Sequence, residues 1–263
     1  MSETAYRTAI RDGIAEEMAR DERVVLLGED VEPGGVFNAT PGLAQRFGTD
    51  RVIDTPISEM AFVSAAYAAA LHGVRPVVEI MFGDFIGLVL DTLANQASKY
   101  WYVSNEQSSV PLTVRTAVGA GGRFGAIHSQ TPTSWLLGLP GLKLVAPATP
   151  ADAKALMKAA IRDDNPVVVF EHKQLYSRKG EVPDHVEPEP IGRAAVRRHG
   201  DAVALIAAMS AVDRSLAAAE ELAEEGISAE VIDLRSLRPL DGDAIAEAAA
   251  RVGRLVVVED GPP

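Results

Sequence analysis

At 263 residues, with 47% hydrophobic and 24% charged side chains, the chain is long enough for one large globular domain or two ordinary ones. Its 37 Asp and Glu against 25 Lys and Arg leave a net charge of −12 with no basic cluster to offset it, which argues against nucleic acid or an anionic membrane as partner. There is no cysteine, so disulfides, thiolate metal sites and cysteine nucleophiles are excluded.

The opening "MSETAYRTAIRDGIAEEMARDE" is polar and has no apolar signal core, and the most apolar run, Met60 to Val74, is short for a bilayer span. A soluble, cytoplasmic protein is expected. In the first segment Ile10, Ile14 and Met18 recur at helical spacing. "RVVLLG" then reads as a short buried strand, "GEDVEPGGVFNATPG" as a loop rich in Gly and Pro, "PGLAQRFG" as a short helix and "RVIDTP" as a strand. Thr55 and Pro56 look like the N-cap and first turn of a helix running to Leu71, apolar on every side.

Strand "RPVVEIMF", helix "DFIGLVLDTLANQASKYWYVS", strand "VPLTVRTAVG" and the glycine-rich loop "GAGGRFGAIHSQTPTS" follow. Next come strand "GLKLVAPAT", an amphipathic helix "PADAKALMKAAIRDDN" with proline in its first turn, and strand "PVVVFEHK". Strands that are near-continuous apolar runs alternating with helices specify an α/β fold with a mostly parallel sheet. The Pro- and acid-rich stretch 177–190 changes character and reads as a linker. Beyond it a second strand–helix unit is expected to end directly after the strand "RLVVVED", without a closing helix. The expected division is 1–180, a linker at 181–190, and an incomplete α/β unit at 191–263.

The usual phosphate-binding loops are missing. "GAGGRFG" does not fit G-x-G-x-x-G, no G-x-x-x-x-G-K-[ST] occurs, and the five histidines are too scattered for a zinc site. Glu59 stands alone at the mouth of the apolar helix. It reads either as an ordinary first-turn carboxylate facing the helix dipole, or as a buried group able to hold a proton. His128, in a glycine-bordered loop after a strand, reads either as a loop histidine bonded to local backbone or as a ligand-facing group. Asp163 and Asn165, with the last-turn carbonyls of "AAIRDDNP", form either a plain helix end before proline or a cation site. Phe85 is core or the wall of a planar ligand, and the acidic "GED" at 28–30 has no role assignable from spacing.

Together, "LLGEDV", "GGVFNATPGLAQRFG", "RVIDTPISEM", "GVRPVVEIMFGDF", "HSQ", "PGLKLVAPATPADAKALMKAAIRDDNPVVVFEHKQLY" and "EVIDLRSLRPLD" resemble the β subunits of thiamine-diphosphate-dependent 2-oxo acid dehydrogenases, across essentially the whole chain. The resemblance implies a transketolase-like, pyrimidine-binding domain followed by that superfamily's C-terminal domain. It implies an α2β2 heterotetramer in which the α subunit holds magnesium and the diphosphate of a shared thiamine diphosphate. The G-D-G…N-N signature of such a site is absent from this sequence.

By the same resemblance, Glu59 matches the glutamate that bonds the pyrimidine ring nitrogen, and Ile57, Met81 and Phe85 line the pyrimidine pocket. Met81 departs from relatives with a polar residue there. His128 matches an active-site histidine that stabilises intermediates and assists acyl transfer to lipoyl. Leu112, Ala160, Ile161, Asp163 and Asn165 match a potassium site formed mostly by backbone oxygens. Further partners implied are the lipoyl acyltransferase component and a small substrate: pyruvate first, acetoin next, a branched-chain 2-oxo acid third.

Overall fold

The computed structural model describes residues 2–261. The first unit contains strands β1 (Ser2–Ala5), β2 (Val24–Gly28), β3 (Val52–Asp54), β4 (Arg75–Ile80), β5 (Thr113–Val118), β6 (Lys143–Val145), β7 (Val167–His172) and β8 (Lys179–Val182). Its helices are α1 (Tyr6–Arg20), α2 (Leu43–Phe47), α3 (Glu59–Leu71), α4 (Ile86–Asp91), α5 (Tyr100–Val103), α6 (Thr133–Leu137) and α7 (Pro150–Arg162). The smaller unit adds β9 (Ala195–Arg198), β10 (Val203–Ala207), β11 (Ala229–Asp233), β12 (Ser236–Arg238) and β13 (Leu255–Val258), with helices α8 (Ser210–Glu224) and α9 (Gly242–Val252).

The large sheet runs β12-β6-β7-β5-β4-β2-β3, and every neighbouring pair is parallel except β12–β6. Its central strands β4, β5 and β7 are buried at every position, which is why they read as largely apolar runs, with Glu79, Arg115 and Glu171 the charged exceptions inside them. Ile10, Ile14 and Met18 of α1 bury their periodic face in the same core. Thr149 caps α7 by accepting the Asp152 N–H at 3.1 Å, with Pro150 in the first turn. The smaller sheet runs β13-β10-β11-β9 with β9 antiparallel.

Four features differ from the sequence reading. First, α3 starts at Glu59, not Pro56, because the Thr55 N–H is tied to the Gly28 carbonyl at 3.0 Å and carries the chain on from β3. Thr55 is therefore not the cap; Ser58 is the N-cap residue, but its Oγ donates to the Pro56 carbonyl at 3.0 Å and makes no capping bond. Second, α3 is not covered all round. Met60, Ala61, Ala65 and Ala68 are exposed.

Third, the single helix expected over 84–104 is a 3₁₀ turn, then α4, a π-helical segment Thr92–Ala97, and α5. Fourth, the stretch read as a linker is partly built into the first unit. β8 pairs antiparallel with β1, Val186 is buried, and its carbonyl accepts from Lys158.

The two units are joined by more than a tether. β12 leaves the smaller unit to pair with β6, and Arg197 bridges Asp152 of α7 and Asp233 of β11. His172 Nε2, at the end of β7, lies 2.5 Å from Asp260 Oδ2 just past β13. No described helix is long and apolar enough to cross a membrane.

Candidate active site

In a parallel sheet, the loops leaving the C-terminal strand ends converge on one edge, where ligand sites collect. Here that edge gathers Glu29 after β2, Thr55 after β3, Met81 and Phe85 after β4, His128 after β5 and Lys173 after β7. The structure thus brings Glu59, His128, Met81 and Phe85 to the same side of the sheet.

Glu59 is only 6% exposed although it opens a helix with an uncovered face. The parallel register that sets Gly28 beside Asp54 brings Glu29, one residue on, toward the start of α3. Burial raises the Glu29 carboxyl above the ordinary glutamate range, and the Glu59 charge raises it further. A backbone hydrogen bond from Ser58 pulls the other way. Oε1 of Glu29 and Oγ1 of Thr55 are buried without a hydrogen-bond partner among the described residues. Two acidic groups and two unfilled polar atoms form a setting that fits a heteroaromatic ring carrying an amine. Ile57, by contrast, is 86% exposed: the chain by itself does not enclose this side of the site.

His128 is half-buried at the end of a 3₁₀ turn, Ala126–His128, in an otherwise exposed loop. Its ring stands edge-on to Phe82 at 4.5 Å and to Phe85 at 5.4 Å between centroids. Phe37 and Phe124 extend this aromatic cluster. Gly119 opens the loop at φ +87°, and a Cβ there would fall 1.9 Å from His172 Nε2, so only glycine fits. Asp84 fastens the far end, accepting from Gln130 Nε2 at 2.8 Å.

The potassium candidates lie elsewhere. Leu112, Ala160, Ile161, Asp163 and Asn165 cluster where β4, β5 and β7 begin, at the opposite edge from Glu59. Arg75 lies in this cluster, donating to the carbonyls of Ile161 at 2.9 Å, Arg162 at 2.7 Å and Asp163 at 2.9 Å. Lys143 Nζ pairs with Asp163 Oδ2 at 2.5 Å, and Asp163 Oδ1 accepts from Asn165. A guanidinium thus already donates to the Ile161 and Asp163 carbonyls, each of which keeps a second lone pair. Among the described residues no three His, Asp or Glu side chains form a metal-binding group.

Residues 2–179 match the transketolase pyrimidine-binding domain, and residues 192–263 match the transketolase C-terminal domain. The chain is 46% identical to the 2-oxoisovalerate dehydrogenase subunit beta of Bacillus subtilis, over 99% of this chain and 80% of that protein. It is 45% identical to the acetoin:2,6-dichlorophenolindophenol oxidoreductase subunit beta of the same organism, over 97% and 78%. Identity to the pyruvate dehydrogenase E1 component subunit beta of Rickettsia felis is 44%, over 97% and 78%.

The chain belongs to the β subunits of thiamine-diphosphate-dependent 2-oxo acid and acetoin dehydrogenases.

Solved structures agree on the fold alone. A split-gene transketolase, described as an inactive beta4 tetramer, superposes with a TM-score of 0.80 at 22% identity, covering 99% of this chain and 81% of that one. The transketolase from Leishmania mexicana superposes at 0.77 with 18% identity, covering all of this chain and 39% of that one. Membership in the dehydrogenase β subunits implies an α subunit as partner, and the pyrimidine-binding domain implies thiamine diphosphate as cofactor. Sequence reasoning missed two residues of the site, Glu29 and Lys173. The first was visible only as an acid in a strand-end loop; nothing in the local pattern singled out the second.

Proposed function

We propose that this chain supplies the aminopyrimidine half of a thiamine diphosphate site shared with its α subunit, and that the complex delivers a two-carbon acyl unit from pyruvate to a lipoyl group of the acyltransferase component. The observation that carries the reading is the buried Glu59 carboxylate, set beside Glu29 and two unfilled polar atoms, at the foot of a helix whose outer face is open. Glu59 would share a proton with the pyrimidine ring nitrogen, and Glu29 Oε1 and Thr55 Oγ1 would accept from the ring's amine. Phe85 and Met81 wall the ring from this chain, and Ile57 packs on it once the α subunit closes the exposed side. The α subunit holds the diphosphate and magnesium. When bound, thiamine diphosphate supplies carbanion stabilisation at the bond next to the substrate carbonyl.

His128, its ring orientation limited by Phe82 and Phe85, would serve as a hydrogen-bond or proton donor to the reacting group. These rings crowd the His128 side of the site, which favours a two-carbon unit over a branched one. Acetoin, whose cleavage yields the same unit, is the second reading.

The test is co-expression with the α subunit, followed by turnover of pyruvate, acetoin and branched 2-oxo acids with an artificial electron acceptor. Pyruvate turning over fastest is expected. Turnover by this chain alone would overturn the shared site, and a branched acid turning over fastest would overturn the two-carbon assignment.

A further inference from the structure

The loop that carries His128 is exposed along nearly its whole length, and few contacts fix it. One comes from Lys173, the first residue after β7, whose Nζ donates to the His128 carbonyl. The same ammonium lies 5.2 Å from the centroid of Phe82 and 5.7 Å from that of Phe124. Phe82 is also the ring against which the His128 imidazole stands. A single aromatic side chain thus seats both the lysine and the histidine, and the lysine closes the triangle through the histidine's main chain. A charge-assisted bond in a site partly shielded from water resists loosening more than a neutral surface bond would.

Lys173 is itself held from both sides. His172 before it is fully buried, accepts the Gln174 N–H on Nδ1 at 3.2 Å and meets Asp260 through Nε2. Gln174 after it lies under Gly121, where a Cβ would fall 2.5 Å from its Nε2, and accepts from Arg214 at 3.2 Å. The segment 172–174 therefore presents a fixed donor to a loop with little structure of its own.

We propose that Lys173 is the positioning residue for His128, setting where its imidazole stands by anchoring its carbonyl. The inference rests on the reading of His128 as an active-site group. Lys173 does not touch substrate in this role, because its ammonium is committed to the backbone and the rings.

The test uses the complex with the α subunit and a double-mutant cycle of Lys173→Met and His128→Ala. Lys173→Met is expected to lower kcat about tenfold or more with KM little changed, the scale of one lost charge-assisted hydrogen bond. In the His128→Ala background the same substitution is expected to cost nothing further. Lys173→Arg, which keeps a charged donor and stacks on rings, is expected to recover much of the loss. Cleavage by trypsin after Arg123, followed by mass spectrometry, is expected to be faster in Lys173→Met than in the parent complex.

Full turnover in Lys173→Met beside a crippled His128→Ala would overturn the positioning role and leave the histidine's role standing. Equal losses in both backgrounds would show that Lys173 acts independently of His128, and would also overturn it. Full turnover in His128→Ala would overturn the histidine reading and the positioning role together. If Lys173→Met fails to assemble, the Lys173→Arg rate and the cleavage of assembled Lys173→Gln decide. Unchanged cleavage in Lys173→Gln would overturn the proposal.

Discussion

Glu29 and Glu59 form a pair of buried carboxyls in which the charge on Glu59 helps to raise the proton affinity of Glu29. The pair exists because β2 and β3 run parallel in a register that brings their following loops together. A site of this kind holds protons near a ligand rather than releasing them to water. Glu59→Gln keeps the shape and removes the carboxylate that can exchange a proton with a bound ring. Turnover of the α–β complex is expected to fall about 100- to 10,000-fold, the range for loss of a general acid–base group, while assembly is unchanged. Steady-state kinetics with size-exclusion chromatography check this, and near-parent rates would remove Glu59 from the proton chemistry.

Much of the sheet was legible because burial on both faces leaves its mark on local sequence, as in Val77, Val78 and Ile80 of β4. The start of α7 was legible for a similar reason, since Thr149 and Pro150 act within one turn. What escaped depends on distant partners. Ser236–Arg238 has no strand pattern of its own and pairs with β6 some ninety residues earlier in the chain. Thr55 looks like a cap until its N–H is claimed by Gly28. Glu59 stood out because it breaks an apolar run, whereas Glu29 and Lys173 sit in polar surroundings and acquire meaning only through the fold.

Asp233, fully buried at the end of β11, has its pKa pushed from the usual 3.8 up to about 6, chiefly by burial and against the pull of Arg197. Between those values the folded chain keeps a proton that the unfolded chain has lost. The stability contributed by this group is therefore greatest below about 3.8 and is lost as pH rises from there to about 6, by about 3 kcal/mol. Asp233→Asn removes that fall. Urea unfolding over a pH series should show a flatter profile for the variant in this interval, and parallel curves would contradict the assignment.

Arg115 lies fully buried between Glu79 and Glu171 on the neighbouring strands, with Nε 2.7 Å from Glu171 Oε1 and Nη1 paired to Glu79. Tyr176 donates to the same Glu171 at 2.8 Å. Removing the one positive charge strands two carboxylates in the core, so Arg115→Met is expected to cost about 3–5 kcal/mol. Adding Glu79→Gln and Glu171→Gln should return part of that loss, because no uncompensated charge then remains. Denaturant titration of the single and triple variants checks both steps. A single variant as stable as the parent would mean that the carboxyls are already neutral without Arg115.

The open side of α3 makes the last prediction. Met60 is 66% exposed beside Ala61, Ala65 and Ala68, Ile57 is 86% exposed, and Leu88 of α4 is 56% exposed. Side chains this apolar, bordering a buried carboxylate, match a surface that the α subunit covers. A charge at its centre would have to be desolvated on association without a partner. Met60→Glu is expected to weaken binding of the α subunit about tenfold or more. The same change should alter the stability of the chain itself by no more than about 0.5 kcal/mol, since the side chain is exposed there. Titration of labelled α subunit against both forms, with thermal melts of each alone, separates the two effects. Undiminished binding by Met60→Glu would place the α subunit on another face and leave the exposed side of the Glu59 site to be closed by something else.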